Sequence, residues 1–275
     1  MARPYRKWPP ILEHAAEIVN SYETDVTLRQ LFYRLVSDET LRNTQSDYTQ
    51  LAHRTAALRR DQTFPAMVDR TRALSRMESW DSIEEAVNER VKEFRLDHSE
   101  GQSCDIFLFV EKSALENQLW SWFGHLGIGI AALRGYHSVP LEWQIKASVR
   151  HRSRRNGFER RVALYIGDYD SSGKDIERNF WRYVRPFFHE VERVALDWDQ
   201  VEEYDLPLQL GKAGDTRAVA FAAEHNGENV QVEADALPPD VLRGLVAEAI
   251  NRHYDYAAYE AVLERERELR KKAER

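Results

Sequence analysis

Val162-Ala-Leu-Tyr-Ile-Gly-Asp-Tyr-Asp170 decides the fold class of this chain. Its apolar residues run on without alternation from Val162 to Ile166, stop at Gly167 and give way to two acids. A short continuous apolar run closed by a turn signal reads as a strand covered on both faces, the condition of a parallel sheet. Ile106-Phe-Leu-Phe-Val110, closed by Glu111, has the same form. Strands are expected near 104–110, 128–133, 161–167 and 191–196, with helices near 113–124, 139–152 and 173–189 between them. This alternation predicts an α/β fold with a mainly parallel sheet and helices on both faces.

Upstream of Arg95 the pattern is helical. Leu28, Leu31, Phe32, Leu35 and Val36 recur at helical spacing, and Thr27 with Gln30 makes a capping-box pair at the start of a helix over 28–37. At about 100° per residue, Tyr33 falls off that apolar stripe and is expected to face outward beside Arg29, one turn earlier. Further helices are expected over 11–22, from Asp47 to Arg60 with an Asp47/Gln50 cap, and from Asp81 to Phe94. The third would expose His53, Arg54, Arg59 and Arg60. Phe64 to Arg72 reads as a turn and a short extended piece, so the short helices and this hairpin-like segment together suggest a winged helix-turn-helix. An ordinary small helical domain fits the same pattern.

Arg95-Leu-Asp-His-Ser-Glu-Gly-Gln102 is the best linker candidate. The expected organisation is therefore 1–95 winged-helix-like, 103–198 α/β, and 199–275 a C-terminal helical extension. In that extension Leu237-Pro-Pro-Asp240 introduces one helix, with prolines where a first turn tolerates them, and the last twenty residues form a charged one.

With 275 residues, 43% hydrophobic and 31% charged, the chain can bury a substantial core. No apolar stretch approaches the ~20 residues of a membrane span, and the N-terminus lacks the apolar core of a signal peptide. One cysteine, Cys104, excludes an internal disulfide framework and fits a reducing cytoplasm. The net charge of −7 is unevenly spread: Asp199 to Arg275 carries 17 acids and 10 bases, so the first 198 residues are balanced. Within them Arg29 to Arg76 holds nine arginines against five acids, and Lys146 to Arg161 holds seven bases against Glu159. Local basic surface of this kind can neutralise phosphates whatever the total charge.

Glu111, Asp168 and Asp170 follow the expected strand ends, which form the functional edge of an open parallel sheet. Grouped carboxylates repel one another unless a cation joins them. An oxygen-only set suits Mg²⁺, which also binds phosphate oxygens. Ser171-Ser-Gly-Lys174 begins a helix whose free N–H groups could hold a phosphate. Tyr33 carries a hydroxyl able to attack phosphorus if a nearby cation such as Arg29 favours the phenolate, whose ordinary pKa is about 10.

These residues carry a family resemblance. Arg29-Gln-Leu-Phe-Tyr33 resembles the Arg-Asp-Ile-Tyr-Tyr motif of the topoisomerase VI A subunit and the related meiotic DNA-breaking protein, in which the second aromatic is the nucleophile. Cys104 to Asp197 resembles a Toprim domain, in which a strand-end Glu and an Asp-x-Asp bind magnesium. Ala236 to Val246 is similar to the C-terminal part of short stand-alone A-subunit-like proteins of bacteria and phages. The resemblance implies Mg²⁺-dependent DNA breakage, with Tyr33 attacking, Arg29 stabilising the phosphate, and Glu111, Asp168 and Asp170 as metal ligands. Arg54, Arg59 and Arg60 would contact phosphates. It also implies double-stranded DNA as substrate and a homodimer in which the tyrosine of one protomer acts with the metal site of the other. Gln30 and Phe32 depart from the motif. The chain has no Gly-x-x-x-x-Gly-Lys-[Ser/Thr] motif, so strand passage would need a separate ATPase subunit. The competing expectations are a Toprim nuclease using a metal-activated water, and a non-catalytic DNA-binding or regulatory module.

Other pattern matches lead nowhere. Gly127-Ile-Gly129-Ile-Ala-Ala132 precedes a strand, whereas a dinucleotide loop follows one. Ser171-x-x-Lys174 lacks the companion motifs of a β-lactamase. His125, His137 and His151 are too scattered for a zinc site.

Overall fold

The computed structural model describes residues 7–24, 26–68, 76–136, 138–210, 218–223 and 229–273. The protein is α/β, with one four-stranded parallel sheet among helices. The chain forms two compact units, each gathered from three stretches. The first comprises Met1–Asp69, Ile166–Glu177 and Ala195–Val246; the second comprises Arg70–Tyr165, Arg178–Val194 and Ala247–Arg275.

The sheet belongs to the second unit except for Ile166 and Ala195, the last residues of its third and fourth strands in chain order. Strands β1 (Cys104–Val110), β2 (Gly129–Ala132), β3 (Arg160–Ile166) and β4 (Glu190–Ala195) lie in the order β2-β1-β3-β4. All seven residues of β1 are buried, as is β3 from Val162 onward. That is why 106–110 and 162–166 read as unbroken apolar runs rather than alternating ones. The strand order reverses between β1 and β3, and such a switch point is where open parallel sheets bind ligands. Phe109 on β1 packs edge-on against Phe180 and Phe188, at 4.9 and 5.8 Å between ring centroids. Gly129 pairs with Phe107 in the parallel register of β1 and β2, and a Cβ there would fall 2.8 Å from the Phe107 ring. The glycine of the rejected dinucleotide pattern thus has a packing explanation.

Cys104 is buried in β1, and burial pushes its thiol up to about 11. The next residue, Asp105, is fully buried, and its Oδ1 accepts a 2.9 Å bond from Arg152 Nε. Arg152 lies on the long helix Val139–Asn156. Burial pushes the Asp105 carboxyl up, against the pull of that guanidinium.

The first unit opens with α1 (Trp8–Ser21), α2 (Leu28–Ser37) and α3 (Gln45–Arg60). Pro9 and Pro10 sit in the first turn of α1, where no intrahelical N–H bond is lost, so the helix begins three residues earlier than its periodicity suggests. The capping box of α2 forms as expected: Thr27 Oγ1 accepts from Gln30 N at 3.3 Å, and Gln30 Oε1 accepts from Thr27 N at 3.0 Å. The cap of α3 is displaced from its expected place. Thr44 caps it, accepting from Asp47 N at 3.2 Å, while Asp47 is buried and accepts from Arg42 N. The segment expected as a wing ends outside the described residues from position 69 on; before that, Val68 makes a single parallel bridge with Thr27. Helix α4 (Ile83–Glu93) and the C-terminal helix Tyr256–Ala273 belong to the second unit. No described helix is long and apolar enough to cross a membrane.

Removing one partner of a buried ion pair strands the other charge, typically at about 3–5 kcal/mol. Arg152→Ala is therefore expected to lower unfolding stability by about that much at neutral pH, measured by urea titration. The folded-state pKa of Asp105 lies above its unfolded value, so the proton it holds favours the fold at acid pH, and that contribution fades as pH rises through the folded value. The deficit of Arg152→Ala should accordingly shrink in acid, and adding Asp105→Asn should restore part of it at pH 7.

Candidate functional site

Tyr33 does not face outward. It is 3% exposed, and Gln30, Leu31, Phe32 and Leu35 of the same short helix are buried with it. Four consecutive buried positions mean that α2 is covered round most of its circumference, where the periodicity argument allowed for one covered face. Residues far along the chain supply the extra cover. Gln209 Nε2 donates to Tyr33 Oη at 3.1 Å, from the short antiparallel pair β5 (Gln209–Leu210) and β6 (Val230–Gln231).

The surroundings of the phenol are polar. Tyr33 lines a cavity of about 330 Å³ with Arg29, Phe32, Asn43, Thr44, Gln45, Tyr48 and Gln209. The Arg29 guanidinium carbon lies 6.0 Å from the Tyr33 ring centroid. One Arg29 nitrogen, Nη2, straddles the Glu233 carboxylate at 2.7 Å from Oε1 and 2.6 Å from Oε2, while Nε is 3.8 Å from Asp235. The Asn43 side-chain Nδ2 is buried without a hydrogen-bond partner. Burial raises the phenol pKa above its ordinary value, Glu233 raises it further, and Arg29 opposes both.

Asp168 and Asp170 lie in the same unit as Tyr33 and Arg29. Tyr169 between them bridges Val232 in antiparallel fashion, with N–H···O distances of 2.8 and 3.0 Å. Asp168 is buried, and its Oδ1 accepts a 2.9 Å bond from Ala234 N. Ala234 sits between Glu233 and Asp235, so the Asp-x-Asp motif is tied to the segment whose acids hold Arg29. Glu233 and Asp235 are site residues that sequence reading missed. They sit in the irregular stretch after Asp199, Glu233 before and Asp235 within the one-turn 3-10 helix Ala234–Ala236, which no side-chain cap bond marks.

Asp170 has a second task. Its Oδ1 accepts from Gly173 N at 2.5 Å, capping the helix Ser171–Val184. One of the N–H groups expected to hold a phosphate is thus already bonded. Lys174 Nζ lies 4.8 Å from the Tyr169 ring and 5.2 Å from that of Phe221. Glu111, immediately after β1, belongs to the second unit, where it lines a cavity with Lys112, Ser113, Ala114, Arg134 and Gly135.

The three arginines proposed for DNA contact differ. Arg60 is exposed at the end of α3. Arg54 is exposed but stacks over Trp8, 4.6 Å from its ring centroid. Arg59 is half-buried, and its Nε donates to Thr55 O of its own helix at 3.3 Å.

A scan against protein-family models and a search of curated proteins each give no match to the chain.

The electrostatics around Tyr33 predict its titration. The difference in phenolate absorbance between the protein and its Tyr33→Phe variant should show a group titrating above the ordinary phenol range. Glu233→Gln should lower that midpoint by removing a raising influence, and Arg29→Ala should raise it. An unperturbed midpoint in all three proteins would refute this account of the site.

Proposed function

We propose that this chain is a Toprim-type, topoisomerase VI A-like protein that breaks DNA strands by Mg²⁺-dependent phosphoryl transfer to Tyr33. The observation that carries the reading is the gathering, in one unit of one chain, of the Tyr33 hydroxyl, the Arg29 guanidinium and the Asp168-Tyr-Asp170 motif, linked through Glu233-Ala-Asp235, an arrangement within one protomer where the resemblance implied a pairing across two.

In this reaction Tyr33 Oη attacks the phosphorus of a phosphodiester. A Tyr–O–P bond forms, one P–O bond to the sugar breaks, and the freed DNA hydroxyl can reverse the step. Glu233, whose charge acts on the phenol, takes its proton. Arg29 holds Glu233 in place and offers positive charge to the phosphate. Asn43 and Gln209 line the same cavity and carry further N–H donors.

The donor set fits Mg²⁺. Asp168 and Asp170 each commit Oδ1 to a backbone N–H, which fixes the carboxylate. Oxygen ligands of this kind suit a hard divalent ion. The resemblance names Glu111 as a third ligand, but Glu111 belongs to the other unit and the proposal rests on Asp168 and Asp170. When bound, the ion would neutralise charge on the phosphate oxygens. A pair of protomers would cut both strands of duplex DNA, and a separate ATPase subunit would be required for strand passage.

The burial and raised pKa of Tyr33 favour a second reading, hydrolysis, with water as the attacking group and the same carboxylates. Supercoiled plasmid incubated with Mg²⁺ and quenched in detergent, with and without protease, separates the two. Transesterification gives nicked or linear DNA carrying bound protein, and Tyr33→Phe abolishes the adduct. Asp168→Asn should abolish cleavage in either case, and Glu233→Gln should slow adduct formation by about 100-fold or more. Cleavage that survives in Tyr33→Phe selects hydrolysis. No cleavage with Mg²⁺ or Mn²⁺, alongside intact DNA binding, would leave a non-catalytic DNA-binding module.

A further inference from the structure

Within the second unit, Glu190, Glu192 and His253 meet at the edge of the sheet. Glu190 and Glu192 are two apart on edge strand β4, so their side chains leave the same face. His253 arrives from the turn after the helix Pro239–Asn251, its backbone N–H bonded to Ile250 O at 2.9 Å. One ligand atom from each of the three lies within 4.8 Å of the other two.

The histidine points to an ion rather than to a solvated acidic face. Its side chain is only 9% exposed, and Nε2 is buried without a hydrogen-bond partner, 4.0 Å from Glu190 Oε1. A buried imidazole nitrogen facing carboxylate oxygens at that distance is too far for a hydrogen bond. It is well placed for a cation to enter between them.

The carboxylates are oriented from outside the group. Arg160 donates to Glu190 Oε2 at 2.5 Å, and Arg252 bonds Glu192 Oε1. Such outer partners fix ligating carboxylates and balance their charge. Each glutamate has a second oxygen for an ion. The two glutamate side chains are 41% and 28% exposed, which gives them freedom to close toward the separations of about 3.4 Å that tetrahedral zinc bonds imply. A cavity of about 430 Å³, lined by His253, Arg160 and Arg252 among others, adjoins the group and gives water access to a fourth position.

We infer that Glu190, Glu192 and His253 form a site for a divalent transition ion of the zinc class, separate from the proposed Mg²⁺ ligands. A nitrogen ligand beside two carboxylates suits Zn²⁺ or Co²⁺, whereas Mg²⁺ takes oxygen ligands and keeps its waters. Bound there, the ion would fasten the junction between the last two helices to β4, which among the described residues is an edge strand of its sheet.

The test is calorimetric titration of the untagged, chelator-treated full chain with Zn²⁺, repeated with Mg²⁺. The expected result is one Zn²⁺ per chain, a raised melting temperature, and no Mg²⁺ binding at this site. Co²⁺ should give visible d–d absorption. His253→Ala should weaken Zn²⁺ binding at least about 100-fold and remove the Co²⁺ bands. Glu192→Gln, which preserves side-chain shape, should weaken binding similarly while circular dichroism shows an intact fold. Asp168→Asn should leave Zn²⁺ binding unchanged, so failure here is distinguishable from failure of the cleavage reading. Absence of Zn²⁺ binding, or equal affinity in His253→Ala and Glu192→Gln, overturns the assignment.

Discussion

The hydrogen bond from Ala234 N to the buried carboxylate of Asp168 is the joint on which the candidate site turns. It fixes a segment from the irregular C-terminal third against the motif that follows β3. Once Ala234 is held, its neighbours Glu233 and Asp235 present their acids to Arg29, and Arg29 in turn lies against Tyr33. A charge-assisted bond to a buried carboxylate contributes roughly twice what a neutral one does. Here it also sets the register of the two-residue bridge between Tyr169 and Val232.

The same arrangement gives the phenol opposing influences. Burial and Glu233 hold the proton on, while Arg29 draws it off. In the proposed reaction, a hydroxyl held neutral beside a carboxylate would lose its proton as the new bond to phosphorus forms, with the carboxylate as the base. A permanently ionised phenolate would need a stronger local positive charge than one guanidinium already shared with two acids. The polar cavity around Tyr33, with the unpartnered Asn43 amide and the Gln209 donor, is the feature that distinguishes this buried tyrosine from one that merely fills a core.

Much of the local structure was legible because its causes are local. The unbroken apolar runs 106–110 and 162–166 reveal strands covered on both faces, and Thr27 with Gln30 reveals a helix start through bonds that span three residues. Pro186 lies in the one-turn 3-10 helix that follows Val184, where the long helix stops short of its expected end. The exposure of Tyr33 was misread for the opposite reason. A helical wheel knows one apolar stripe, and nothing near position 33 announces that Gln209 will cover the other side. Asp47 shows the same limit on a smaller scale: its caplike position suggested a helix start, but Thr44 takes that role and Asp47 turns inward to Arg42.

By itself the sequence determined the elements, their order and the α/β class, because burial pattern, capping and turn chemistry act over a few residues. It also singled out Tyr33, Arg29, Asp168 and Asp170 as candidate site residues. Only the tertiary structure decided that these four share one unit, that Glu233 and Asp235 complete their charge network, and that His253 meets Glu190 and Glu192. Those encounters join residues roughly 60 to 200 positions apart. They depend on how separate stretches of chain are brought together, and a periodicity of two or 3.6 residues carries no record of that.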